Sequence, residues 1–99
     1  MVNQTNKNLL ESKIIQRLDL SDLMLKLWIS KPENYSFKPG QYCTIGVDGI
    51  ERAYSIASSP DENSLELFVE LVEHGELSPI IWKMKVGDKL TLRPKAKGI

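Results

Sequence analysis

Alternation of apolar and polar residues with a period of two is the feature that most limits what this chain can fold into. Over residues 23–29 the odd positions Leu23, Leu25, Leu27 and Ile29 are apolar while Lys26 falls between them. Over residues 65–71 the odd positions are Leu65, Leu67, Val69 and Leu71, with Glu66 and Glu70 opposite. Successive side chains of a strand leave opposite faces, so each run reads as a strand with one face in a core and the other in water. Weaker alternation covers residues 12–20, 41–47, 51–57 and 89–93. Six short strands at this spacing predict an all-β antiparallel barrel or sandwich.

The punctuation agrees. Pro39-Gly40 closes the loop before the third strand, and Asp48-Gly49 suits a two-residue hairpin turn with positive φ. Residues 58–63 form a longer polar turn. One helix is expected to interrupt the strands, with Ser78 as N-cap, Pro79 at the first helical position, Lys83 and Lys85 near its negative end and Gly87 ending it after about two turns. Ile80, Ile81, Trp82 and Met84 cover more than one face, so this helix should lid or plug the strand assembly. Residues 1–8 are polar and expected to fray, leaving one domain over residues 9–99.

Composition excludes several classes. A chain of 99 residues with 13 basic and 13 acidic side chains has no overall pull toward nucleic acid. No apolar run approaches the roughly 20 residues of a membrane span, and no secretory leader is visible, which makes the cytoplasm the expected location. Cys43 is the single cysteine, so it has no intramolecular disulfide partner; it reads as a small strand residue, and no metal site is expected. No Ser/His/Asp or Cys/His set suggests nucleophilic catalysis.

Two places could carry chemistry. Arg52-Ala53-Tyr54-Ser55 places a guanidinium and a phenol on the same side of a strand about 6 to 7 Å apart, while Ala53 and Ala57 should point into the core. A forked cation beside an aromatic face can hold an anion and stack a planar ring, or can simply be a surface Arg lying over a Tyr. Gly75-Glu76-Leu77-Ser78 offers close backbone approach, a hydroxyl and free helix-start N–H groups, which suit a phosphate or an ordinary capped turn. Glu73 and His74 could touch a nucleotide or be solvated; Trp28 and Trp82 read as core or lid packing.

In this order, the Arg52 to Ser55 and Gly75 to Ser78 runs resemble the paired R-x-Y-S and G-x-x-S motifs of the flavin-binding domain of the ferredoxin-NADP reductase family. Phe37-Lys38-Pro39-Gly40-Gln41-Tyr42, the stretch from Ala53 to Pro60 and Val86-Gly87-Asp88-Lys89-Leu90 resemble its bacterial ferredoxin/flavodoxin reductase branch. The resemblance implies a six-stranded antiparallel Greek-key barrel with one short lid helix, holding FAD across its outer face, with FMN the less favoured flavin. It gives Arg52 the pyrophosphate, Tyr54 the isoalloxazine or ribityl chain, and Ser55 the N5 edge of the ring, with Ala53 between them. Phe68, Val69 and Glu70 would run along the pyrimidine side, mainly through backbone groups. The backbone of Gly75, Glu76 and Leu77, with the Ser78 hydroxyl, would complete the phosphate site.

A complete relative takes a hydride from NAD(P)H and passes single electrons to a ferredoxin- or flavodoxin-like partner. The α/β domain that binds NAD(P)H is expected to be missing, because no two glycines here stand at G-x-G spacing. The 99-residue chain alone is therefore expected to be inactive. The alternatives left open are a non-catalytic barrel that binds a protein partner, and an electron-transfer subunit of a larger complex.

Overall fold

The computed structural model describes residues 8–98. In chain order the elements are β1 Leu10–Asp19, β2 Met24–Ser30, β3 Tyr42–Val47, β4 Ile50–Ser55, β5 Ser64–Glu70, α1 Ser78–Trp82 and β6 Lys89–Leu92. The strands form one sheet in the order β4-β3-β6-β1-β2-β5, with every pair antiparallel. The last strand, β6, slots between β1 and β3, which is the crossing connection of a Greek key. The end strands β4 and β5 meet at a single bridge, Ile56 with Leu67, where the Ala57 N–H also donates to the Glu66 carbonyl at 2.7 Å. The expected six-stranded Greek-key barrel, nearly closed and carrying one short helix, is the fold observed. Apart from Asn8, the expected frayed segment lies outside the described residues.

The alternation does what its period dictates. Leu25 pairs with Val69, Leu27 with Leu67 and Ile29 with Leu65, and all six side chains are fully buried. Residues opposite one another in antiparallel strands share a face, so these three pairs form one wall of the core. Ile14, Ile45, Leu90 and Leu92 supply the other walls, and Tyr35 and Phe37 are buried among them. Each such aliphatic side chain contributes about 1.5–3 kcal/mol by leaving water. Ile81 of α1 is fully buried and Trp82 and Met84 pack on the core, so the helix lids the barrel as expected.

The same period corrects other expectations. Trp28 is an even-numbered residue of β2 and therefore stands on the outer face, half-buried, where its Nε1 donates to Glu66 Oε1 at 3.2 Å. Lys26 lies 5.0 Å from that indole and 2.6 Å from Glu66 Oε2, giving the outer face a polar cluster. Leu23 precedes β2 and is 60% exposed, and Leu71 lies just past β5. Ala53 and Ala57 are exposed rather than buried. Their partners explain Ala53: Arg52 sits opposite buried Ile45 and Tyr54 opposite buried Cys43, so Arg52 and Tyr54 take the inner face of β4 and Ala53 the outer.

The turns follow their sequences. Asp48 and Gly49 have φ of 53° and 84°, the left-handed pair of a type I′ hairpin whose flanking residues Val47 and Ile50 face each other. Pro39-Gly40 sits in a turn closed by the Gln41 N–H donating to the Lys38 carbonyl at 3.1 Å.

Two buried acidic protons mark the core. Burial pushes the Cys43 thiol up to about 12, and pushes the Tyr35 phenol up to about 12, with Cys43 adding to the second shift. Tyr35 Oη is buried with no hydrogen-bond partner among the described residues. An unfolded chain loses these protons near their ordinary values of 9.0 and 10.0 while the native one holds them, so the native state binds more protons above pH 9. Stability should be fully present below pH 9 and decline between pH 9 and 12, by up to about 1.4 kcal/mol per pH unit for each group. Urea unfolding across this range tests it: Cys43→Ala should flatten part of the decline. Tyr35→Phe should flatten another part and raise stability at pH 7 by about 1 kcal/mol, because it removes an unsatisfied hydroxyl.

Candidate functional site

Beyond the Ile56–Leu67 bridge, β4 and β5 diverge and their facing edges lack ladder partners. The gap is a cleft of about 380 Å³ bounded by Arg52, Ala53 and Tyr54 on β4, by Phe68 and Glu70 on β5, and by Val72 and the Gly75 to Ser78 turn at one end. Both runs singled out in the sequence therefore meet in one place. Ser55 and Val69 are the expected site residues whose side chains do not line it. Ser55 lies on the outer face of β4 opposite Tyr42, and Val69 is fully buried in the core, leaving its backbone as the group nearest the cleft.

Arg52 is held from two sides. Its Nη1 donates to the Glu51 carbonyl at 2.6 Å and its Nη2 to Glu76 Oε1 at 2.8 Å. Glu51 is itself gripped by the fork of Arg93, at 2.9 and 2.8 Å. The Glu51 carboxylate raises the Arg93 pKa by hydrogen bonding first and by charge second. Tyr54, two residues on from Arg52 and on the same face, is half-buried against the core. Burial raises its phenol above the usual range, with the nearby Arg52 charge opposing. The phenol thus stays a neutral donor and flat apolar surface at neutral pH. Phe68, 48% exposed, offers a second ring from the opposite wall.

The loop between β5 and α1 differs from expectation in its details. A Cβ on Gly75 would lie 3.0 Å from Val72 Cβ and 3.1 Å from the Val72 carbonyl oxygen, so the glycine is required by the turn's own closure. That turn is sealed by the Gly75 N–H donating to the Val72 carbonyl at 2.8 Å. Ser78 is not the N-cap: Leu77 holds that position, with no side-chain cap, and Ser78 is the first helical residue. The Ser78 hydroxyl accepts the Val72 N–H at 2.9 Å, tying the two ends of the loop together. The backbone N–H groups of Glu76, Leu77 and Ser78 donate in none of the hydrogen bonds among the described residues, as the first turn of a helix requires. Glu73 and His74 are exposed and lie outside the cleft lining.

The helix also ends early, at Trp82, giving it five residues. Gly87, at φ 98°, belongs to a separate turn in which the Asp88 N–H donates to the Lys85 carbonyl. The expected basic residues of the last turn are replaced by one that sequence spacing did not reveal. Arg17 of β1 sends Nη1 to the carbonyls of Ile81 at 3.4 Å, Trp82 at 3.0 Å and Met84 at 2.6 Å, while Asp19 receives its Nε at 2.8 Å. A cation from a distant strand thus satisfies the helix's orphan carbonyls and ties the C-terminal end of α1, the helix into which the cleft's loop runs, to β1.

Among the described residues no cluster of His, Cys, Asp or Glu could hold a metal ion, and no helix is long and apolar enough to cross a membrane.

A family model described as an oxidoreductase FAD-binding domain matches residues 9–97. A flavodoxin/ferredoxin-NADP reductase from Escherichia coli is 32% identical over 90 residues, covering 87% of this chain and 36% of that protein. A ferredoxin-NADP reductase from Pseudomonas aeruginosa is 34% identical over 95 residues, covering 92% and 37%. Among solved structures, a ferredoxin NADP+ reductase from Neisseria gonorrhoeae with bound FAD and NADP superposes with a TM-score of 0.89 at 33% identity, covering 93% of this chain and 39% of the other. The chain spans about a third of the length of the curated relatives it matches.

Replacing Arg17 should show what anchors the loop. Arg17→Ala should cost about 2–3 kcal/mol in urea unfolding, as expected for lost hydrogen bonds to a charged group. It should also speed amide hydrogen exchange over residues 75–84 more than elsewhere; uniform exchange across the barrel would contradict the anchoring role.

Proposed function

Because this chain belongs to the oxidoreductase FAD-binding domain family, we propose that it is the flavin-holding part of an NAD(P)H-dependent electron-transfer reductase. The observation that carries the reading is the convergence of Arg52, Tyr54 and the Gly75 to Ser78 turn on one cleft where the barrel fails to close. Its volume of about 380 Å³ falls within the range of about 300–1,000 Å³ usual for small-molecule sites.

The residues present fit the group. Arg52 is placed to neutralise a phosphate with its planar fork, and the undonated N–H groups of Glu76 and Leu77 are placed to add hydrogen bonds from the same end. Tyr54 and Phe68 supply ring surfaces on facing walls, suited to a planar heterocycle. The free strand edges at Ala53 and at Phe68, Val69 and Glu70 offer backbone donors and acceptors to the heterocycle's polar rim. Ser55 continues the β4 edge and would reach the ring from the outer face. The Ser78 hydroxyl supports this site by closing its loop. Bound there, FAD would supply the redox chemistry, taking up a hydride and releasing electrons singly, while the protein orients it and limits water.

In this reading the barrel is one of two domains, and the nicotinamide nucleotide binds on the other. The electron partner is a ferredoxin- or flavodoxin-like protein, as the names of the relatives suggest, and the reaction runs in the cytoplasm, where NAD(P)H is available.

FAD titration tests the reading. The chain should quench or shift flavin fluorescence on binding, and Arg52→Ala should weaken FAD about tenfold or more while leaving riboflavin, which has no phosphate, unchanged. If neither this chain nor the longer protein containing it retains flavin, the reading falls.

A further inference from the structure

The cleft that would hold a flavin phosphate contains more negative than positive charge: Glu70 and Glu76 line it beside a single guanidinium, that of Arg52. Glu76 goes further than lining. It reaches from the β5–α1 loop across the split seam to Arg52, 24 residues away in sequence, and takes its Nη2 at 2.8 Å. Arg52 is also tied to its own strand, its Nη1 donating to the Glu51 backbone carbonyl at 2.6 Å, while the Glu51 carboxylate is occupied by Arg93. A phosphate arriving at Arg52 must therefore share the fork with Glu76 or displace it.

We propose that Glu76 is a specificity-determining residue of this cleft, a built-in anion that competes with the ligand's phosphate for Arg52 and sets how far phosphate-bearing flavins, FAD and FMN, are favoured over riboflavin. The inference rests on the flavin reading of the same cleft and deepens it. The pyrophosphate of FAD carries about two negative charges in all and the terminal phosphate of FMN about −1.5 to −2 near neutral pH, so both meet the Glu76 carboxylate with similar charge, while riboflavin brings none. Repulsion from a fixed carboxylate scales with that charge. Both partners of the Arg52–Glu76 pair are well exposed, at 49% and 67%, so the penalty is modest and screened by salt. Such a pair corresponds to a factor of at most about five in an equilibrium constant.

The test uses riboflavin, FMN and FAD titrated against the wild-type chain and Glu76→Gln, followed by flavin fluorescence at low and high ionic strength. Glu76→Gln keeps the side chain's length and exposed position, so folding is preserved. FMN and FAD should each bind up to about five-fold more tightly to the variant, and riboflavin equally; high salt should shrink the differences. Equal affinity of variant and wild type for FMN, or a uniform gain that includes riboflavin, overturns the role of Glu76 while leaving the flavin reading intact. Failure of both proteins to bind any flavin overturns the reading and the inference with it.

Discussion

The barrel is closed along one short seam. Five strand pairings are antiparallel ladders, but β4 and β5 are joined just past the end of β4, by the Ile56–Leu67 bridge and the Ala57 N–H bond to the Glu66 carbonyl. On one side of that bridge the core is sealed; on the other the strands part and leave two unpaired edges facing a cleft. Sheet edges are normally a liability because their N–H and C=O groups await a partner. Here the unpaired stretch is short, flanked by Arg52 and Glu70, and capped by the loop that ends in α1, so the gap is shaped rather than merely exposed.

The polar groups around the gap form a chain of alternating sign: Arg93, Glu51, Arg52, Glu76. None of these exposed links is strong by itself. Their value lies in orientation, since the Glu51 backbone carbonyl and the Glu76 carboxylate together keep the Arg52 fork at the seam. At the opposite end of the loop Arg17 performs a similar service for the helix, through backbone carbonyls rather than carboxylates. Two arginines, Arg93 just past β6 and Arg17 on the neighbouring strand β1, thus support the surroundings of the cleft, and a third, Arg52, lines it.

Much of this was legible in the residues. The strands of Leu25 to Ile29 and Leu65 to Val69 declare themselves through strict alternation, because a one-residue slip would turn every apolar side chain outward. Asp48-Gly49 declares its turn for an equally local reason. What local pattern could not supply was the face of β4. Its inner side carries Arg52 and Tyr54 and its outer side Ala53, the reverse of a hydropathy reading, because this strand borders a cleft rather than a packed core. The helix boundaries were misjudged for a related reason. Ser78 looks like a cap in sequence, but its hydroxyl is drawn to Val72, and the helix's far end is satisfied by Arg17, 64 residues upstream of Ile81. Long-range partners of this kind leave no spacing signal. The two motif runs were identifiable as a pair, whereas the Glu76 carboxylate pairing with Arg52 emerged only once the two strand edges were brought face to face.

The split seam also couples ligand occupancy to folding. Strands β4 and β5 stand at the two ends of the sheet order, so any molecule bridging them extends a seam that the polypeptide itself closes at Ile56 and Ala57. Binding and barrel closure then become one equilibrium: ligand at a hundred times its dissociation constant adds about 2.7 kcal/mol to the closed form. Occupancy of the cleft becomes a determinant of how long the folded chain persists.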